Sequence, residues 1–214
     1  LRTPQDGMMI DEQLTRGIVG LGLELPPEAQ QRLLAFAALL AKWNRVYNLT
    51  ALREESQMVT HHLLDSLSVL PFLDARSIAD IGTGGGLPGI PLAIARPGLQ
   101  VALVETSHKK ASFLQQARTE LDLGNTTIVN ERVEQWQPEE QFDAVISRAF
   151  SDITDFVRLT QHLVDPSGCW YAMKGVNPHD EVAQLPAGFR VDKVMALKVP
   201  GLDAARHLIV IERS

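Results

Sequence analysis

The sequence predicts an α/β fold in which a seven-stranded, mainly parallel sheet carries an N-terminal helical extension. From residue 77 onward, apolar runs of strand length alternate with helical patterns, which is typical of βαβ units. The last two strand patterns follow each other without a convincing helix, so we expect an antiparallel hairpin at the end of the sheet. Before the first strand, two stretches have the apolar spacing of amphipathic helices.

Prolines indicate where the two helices of the predicted extension begin and end. The first begins at Pro26 and Pro27, where proline suits a first helical turn, and the second covers residues 56–70 and stops at Pro71. Neither helix can bury its apolar face alone. We therefore expect the extension, residues 9–74, to form one structural unit with the main domain, residues 75–214. Residues 1–8 are expected to be a cloning remnant or a disordered start.

The main domain is predicted to contain seven strands and three helices. The strand patterns cover residues 77–81, 101–105, 127–129, 144–147, 169–173, 191–197 and 207–211. The helical patterns cover residues 89–95, 107–123 and 152–164. Ser107 is a suitable N-cap for the second of these helices, and Gly124 is a suitable stop.

Composition narrows the class of protein. The chain has 214 residues, of which 45% are hydrophobic and 21% charged, as in ordinary globular proteins. A single cysteine, Cys169, cannot form an internal disulfide or a zinc site, so we expect a reducing, cytoplasmic location. We find no signal peptide and no apolar run of about 20 residues. The net charge of −6 argues against non-specific coating of nucleic acid but allows an enzyme with a local basic face.

A glycine-rich turn follows the first predicted strand. Asp80 ends the strand, and Gly82 and Gly84 open the turn, so that a ligand can lie against bare backbone. Leu87 stands where a dinucleotide-binding fingerprint has its third glycine, which argues against a dehydrogenase. An acid two residues before the first glycine is similar to the S-adenosylmethionine loop of class I methyltransferases. The alternative is a turn that is merely tight.

The residues after the next two strands suit a nucleoside. Glu105 lies about 20 residues beyond the glycines, where a carboxylate can accept hydrogen bonds from both ribose hydroxyls. Val133 and Glu134 follow the third strand, where they could contact an adenine edge. The alternative for both places is an ordinary solvated loop.

Basic residues lie at the same predicted rim of the sheet. Arg148 follows a buried strand and must be paired or contact a ligand, because a lone buried guanidinium is costly. Others at the rim are candidates for phosphate binding, with surface solvation as the alternative: Lys109, Lys110, Arg132, Lys174 and Arg206. His61 and His62 have no metal-ligand spacing, and we interpret them as packing or surface residues, with no metal site expected.

Two motifs of nucleic-acid methylation are missing. The fourth strand is not followed by the Asp/Asn-Pro-Pro-aromatic motif expected for methylation of an exocyclic amine, and no proline precedes Cys169, so covalent attack on a pyrimidine is not expected. A nucleophile with a lone pair and no proton to lose, such as guanine N7, would need only positioning. We find no compelling general base.

The sequence resembles the bacterial glucose-inhibited division protein B family from about residue 27 to residue 211. The resemblance is carried by Gly-Leu-Pro-Gly-Ile-Pro at 86–91, Ser-Arg-Ala-Phe at 147–150, Tyr-Asn-Leu-Thr at 47–50, His-Leu-Leu-Asp-Ser at 62–66 and Arg-His-Leu at 206–208. It implies a class I, Rossmann-like methyltransferase that uses S-adenosyl-L-methionine to methylate N7 of a single guanine in 16S ribosomal RNA of the small subunit. Its implied cofactor contacts are Gly82, Leu87, Val133, Glu134 and Arg148.

The resemblance also implies that the N-terminal helices and the rim around Arg148 face RNA. We expect Arg148 and Lys174 to position the reactants, and Lys109, Arg132, Lys174 and Arg206 to be candidates for RNA binding. A cytoplasmic monomer without DNA or membrane partners is expected. The alternatives are a class I methyltransferase acting on a small molecule, which the negative charge would suit, and a non-catalytic RNA module that binds the cofactor.

Overall fold

A computed structural model describes residues 4–175 and 179–214. Within these residues, seven strands form one sheet in the order β3-β2-β1-β4-β5-β7-β6. The strands are β1 (Ser77–Ile81), β2 (Gln100–Val104), β3 (Thr126–Val129), β4 (Phe142–Ser147), β5 (Val164–Lys174), β6 (Phe189–Ala196) and β7 (His207–Arg213). β1 to β5 pair in parallel, and β7 is antiparallel to both β5 and β6. The predicted α/β class and the final hairpin are confirmed.

The helices lie before the sheet and between its strands. They are α1 (Pro4–Gly20), α2 (Pro27–Tyr47), α3 (Glu55–Met58), α4 (Asp65–Leu67), α5 (Gly89–Ala95), α6 (His108–Glu120), α7 (Ile153–Thr160) and α8 (His179–Val182). A wider, π-helical turn, Val59–Leu64, joins α3 to α4, and short 3₁₀ turns cover Leu70–Phe72 and Gln161–Leu163. Among the helices of residues 4–175 and 179–214, none combines the length and the hydrophobicity of a membrane-spanning segment.

The sheet separates two apolar cores. Alternate residues of each strand point to opposite faces, so Ile78 of β1 enters one core while its neighbours Ala79 and Ile81 enter the other. The first core also contains the buried side chains of α1, α2, α5 and α6, and the second contains those of α7. The N-terminal helices therefore share a core with the sheet on one face only.

The structure differs from the sequence-based expectation in the N-terminal region. Helix α1 was not predicted; it begins at Pro4, inside the segment 1–8 that was expected to be a remnant or disordered, of which residues 1–3 lie outside the described residues. The helix predicted over residues 56–70 is broken by the π-helical turn. Helix α6 ends at Glu120, before the expected stop at Gly124, and Asp122 adopts a left-handed conformation there with φ of 50°.

Candidate functional site

A buried carboxylate braces the glycine turn after β1. Asp80 Oδ2 accepts hydrogen bonds from Thr83 Oγ1 at 2.6 Å and from the Gly89 backbone N–H at 2.8 Å. Burial raises the pKa of Asp80 to about 6, although these two hydrogen bonds oppose the rise. Asp80 Oδ1 is buried with no hydrogen-bond partner among the described residues. Asp80 thus links Thr83, near the start of the turn, to Gly89 at its end.

Gly82 sits where the turn meets the loop after β4. Its φ is 66°, which side chains rarely permit, and a Cβ there would lie 2.9 Å from Ala149 Cβ. Gly84 has a similar φ of 59°, but a Cβ there would meet only the Gly82 carbonyl oxygen at 3.9 Å. The absence of a side chain at residue 82 is therefore required by the neighbouring loop as well as by backbone conformation.

Glu105 lies one residue beyond β2 and connects the turn to α6. Its Oε2 accepts a hydrogen bond from the Gly84 N–H at 2.9 Å, and its Oε1 accepts one from the Ser107 N–H at 2.8 Å. Ser107 caps α6, as expected, by accepting from the Lys110 N–H. Each carboxylate oxygen has a second lone pair. Glu105 is thus held in place while it keeps the capacity to accept further hydrogen bonds.

The ends of β1, β2, β3 and β4 enclose a cleft of about 280 Å³. Five of the predicted site residues line it: Gly82, Glu105, Arg132, Val133 and Glu134. Six other lining residues were not among the predicted site residues: Ile81, Val104, Thr106, Glu131, Ala149 and Phe150. Their positions at the ends of strands and in the loops that follow are the sequence signal that identifies them.

The other predicted cofactor residues lie outside the lining of this cleft. Asp80 is beneath the turn, and Gly84 donates to Glu105. Leu87 is partly buried and packs against the first core. Arg148 extends toward α4, where its Nη1 lies 3.3 Å from Asp65 Oδ2.

The predicted RNA-binding residues have three kinds of environment. Lys109 is exposed in the first turn of α6, and Arg132 is exposed beside the cleft. Lys174 Nζ donates to the Ser151 carbonyl oxygen and lies 2.8 Å from Glu181 Oε2. Arg206 Nε donates to Asp65 Oδ1 at 2.9 Å.

Two residues of the N-terminal extension that were not assigned a site role lie beside Arg148. Asp65, which is 1% exposed, is paired with both Arg148 and Arg206. His62 forms a 2.8 Å hydrogen bond with Thr50 Oγ1, and burial together with the positive charge of Arg148 lowers its pKa to about 4. His62 is therefore neutral at physiological pH. In the ranges 4–175 and 179–214, no group of His, Cys, Asp and Glu side chains is arranged to hold a metal ion.

The sheet with its final antiparallel hairpin, the glycine turn and the carboxylate after β2 give the chain the α/β, Rossmann-like fold of the class I methyltransferases. A solved structure with a similar fold is that of the mitomycin 7-O-methyltransferase MmcR, which has a TM-score of 0.62 and 18% identity and covers 99% of this chain and 69% of its own.

The family follows from the sequence comparison. Residues 29–209 match the GidB family, described as rRNA small subunit methyltransferase G, and the chain belongs to that family. The protein of that name from Aromatoleum aromaticum is 62% identical over 206 residues, covering 94% of this chain and 98% of its own length. The one from Azoarcus sp. is 59% identical over 212 residues, covering 99% and 98%. The resemblance found in the sequence is confirmed.

Proposed function

We propose that this protein transfers the methyl group of S-adenosyl-L-methionine to N7 of a single guanine in 16S ribosomal RNA of the small subunit. Membership of the GidB family is the observation that carries this proposal. The curated relatives are named ribosomal RNA small subunit methyltransferases, and the cleft at the strand ends has the chemistry that a nucleoside needs.

The residues present fit the cofactor. Gly82 has no side chain, and a Cβ there would lie against Ala149, which also lines the cleft. A ligand in the cleft can therefore approach the backbone of the turn closely. Glu105 is positioned to accept hydrogen bonds from the ribose hydroxyls, while Val133 and Glu134, which also line the cleft, would contact the adenine. The Asp80 carboxylate supports the turn from beneath. When bound, S-adenosylmethionine supplies an electrophilic methyl group on a sulfonium.

The reaction requires positioning rather than proton transfer. Guanine N7 carries a lone pair and no proton, so no general base has to be supplied by the protein. Lys174 joins β5 to Ser151 and Glu181, and thereby fixes the loop that follows β4. Arg148 and Ala149 begin that loop, so Lys174 acts as a positioning residue for the edge of the cleft.

Recognition of a folded site would explain how an acidic protein acts on RNA. A chain of net charge −6 is unsuited to non-specific binding, whereas shape and a local basic rim suffice for one ribosomal site. Lys109 and Arg132 are exposed at that rim. We propose that the protein works as a monomer in the cytoplasm, without DNA or membrane partners. The target base must present its N7 edge, so an open loop or an extruded base is expected.

The test is transfer of labelled methyl groups from S-adenosylmethionine to purified small subunits, to free small-subunit RNA and to a metabolite extract. Label in the RNA as N7-methylguanosine is the expected result. Label in a metabolite alone would establish the small-molecule alternative. Binding of the cofactor without any transfer to the RNA substrates would support a non-catalytic module instead.

A further inference from the structure

Asp65 joins three separate parts of the chain through its carboxylate. It lies in α4 and is 1% exposed, and each of its oxygens faces a different arginine. Arg206, which directly precedes β7, donates from Nε to Oδ1 at 2.9 Å. Arg148, which directly follows β4, places Nη1 3.3 Å from Oδ2. One carboxylate therefore holds two guanidinium groups side by side.

The cluster of Asp65, Arg148 and Arg206 carries one positive charge in excess and has unused donors. Arg206 Nη1 donates to the Ala205 carbonyl oxygen, which leaves part of its guanidinium free. Arg148 Nη1 is buried and, among the described residues, has no hydrogen-bond partner, because its approach to Asp65 lacks hydrogen-bond geometry. A buried donor without an acceptor is unfavourable unless a ligand supplies one. The cluster is suited to an oxyanion.

The position of the cluster favours an anion of the substrate. The proposed nucleoside site lies over the ends of β1, β2 and β3, and Ala149 and Phe150 of the loop after β4 also line it. The cluster lies at the carboxyl end of β4 and the start of β7, on either side of β5. These positions are close together because the antiparallel strand β7 begins where the parallel strands end. Arg148 directly precedes Ala149, which lines the cleft. The cluster is thus next to the proposed cofactor site, on the side of β5 and β7, which contribute no residue to the lining of the cleft.

We propose that Asp65 is a positioning residue that aligns Arg148 and Arg206 as one clamp for a backbone phosphate of the RNA beside the target guanine. This inference rests on the proposed function. Planar guanidinium groups bind phosphate through paired N–H donors, and a shared carboxylate keeps the two groups from repelling each other. The family resemblance implies a cofactor contact for Arg148, so the carboxylate of the cofactor is the competing oxyanion, and the experiment separates the two.

The experiment compares Arg206→Gln, Arg206→Lys and Asp65→Asn with the native protein. Arg206→Gln leaves Asp65 paired with Arg148, which protects the fold. The matched control is Arg190→Gln, because Arg190 is also paired with a carboxylate, Glu212, at 2.8 Å, but near the far end of β7 from Arg206. KM for small subunits, KM for S-adenosylmethionine, RNA affinity between about 50 and 200 mM salt, and the melting temperature are measured for each.

Arg206→Gln is expected to raise KM for the RNA substrate about tenfold, as for the loss of one charged hydrogen bond. It should lower the slope of log affinity against log salt by about one and leave KM for the cofactor unchanged. Arg206→Lys should restore the salt slope and only part of KM, since it keeps charge but loses the planar fork. Asp65→Asn should raise KM for RNA, and Arg190→Gln should match the native protein.

Three results would overturn the proposal that Arg148 and Arg206 form a phosphate clamp. A rise in KM for the cofactor in place of that for RNA assigns the anion to the cofactor carboxylate. An unchanged salt slope with a lower melting temperature makes the cluster structural. Equal effects of Arg190→Gln and Arg206→Gln make it non-specific. RNA affinity is measured without turnover. Absence of methyl transfer by the native protein would therefore refute the proposed function, while the salt dependence of RNA affinity would still test the phosphate clamp.

Discussion

Replacing Gly82 by alanine tests whether the turn is shaped by its contact with the loop after β4. An alanine there must adopt φ near 66°, which costs about 1–2 kcal/mol. Its Cβ would also lie 2.9 Å from Ala149 Cβ, well inside the usual carbon–carbon separation of about 3.5–4.0 Å. Relief of such overpacking costs about 1–3 kcal/mol more. The expected loss in the free energy of unfolding is therefore about 2–5 kcal/mol.

Gly84→Ala is the matched comparison, because Gly84 has φ of 59° but open space around its Cβ position. It should cost only the conformational part, about 1–2 kcal/mol. Denaturant unfolding of both variants measures the difference. Because Ala149 lines the cleft, its displacement in Gly82→Ala should also weaken S-adenosylmethionine binding at least about tenfold in titration calorimetry.

The double variant Gly82→Ala with Ala149→Gly decides whether the collision is the cause. Removing the Ala149 Cβ takes away the atom that the new Cβ would meet, so the overpacking cost of about 1–3 kcal/mol should be recovered along with the affinity. Equal stability of Gly82→Ala and Gly84→Ala, or no recovery in the double variant, would refute this explanation of the turn.

Two further predictions concern Glu105 and His62. Glu105→Gln should weaken binding of S-adenosylmethionine by at least about tenfold, because the amide NH₂ of glutamine must face one of the two backbone N–H groups that now donate to the carboxylate. Calorimetry of Glu120→Gln, which changes an exposed residue, is the control. Equal affinities of the Glu105→Gln variant and the native protein would contradict the prediction. The pKa of His62 is about 4 in the fold against 6.5 ordinarily, so the unfolded chain binds the proton first and stability falls as pH drops from 6.5 to 4. His62→Gln should lack this loss, worth about 3 kcal/mol, and parallel pH profiles of urea unfolding for the two proteins would show the prediction to be wrong.

Local sequence patterns were sufficient for the sheet and for several of the residues that line the cleft. Alternating apolar residues and turn punctuation located all seven strands in the described chain to within a few residues, apart from an earlier start of β5. The pattern identifies Glu105 because residues that follow neighbouring parallel strands lie at the same end of the sheet. The capping role of Ser107 follows from its position directly before a helix.

The helical extension was harder to predict because its details depend on distant partners. Helix α1 packs its Gly17 against Leu64, a contact that periodicity does not show. The π-helical turn lies where His62 bonds Thr50 and precedes the buried Asp65. Asp65 meets an arginine 141 residues further along the chain. The sequence analysis identifies both arginines as candidates, but a one-dimensional pattern does not show which carboxylate they meet, so it does not identify Asp65.

Methyl transfer to guanine N7 in ribosomal RNA can be tested by mapping the modified nucleotides in cells. Small-subunit ribosomal RNA is compared from cells with this protein, from cells without it, and from cells that carry the Gly82→Ala variant. We expect a single guanine that bears an N7-methyl group at full occupancy with the native protein, at reduced occupancy with the variant and not at all without the protein. An identical methylation map with and without the protein, or loss of a methyl group from any atom other than guanine N7, would contradict it.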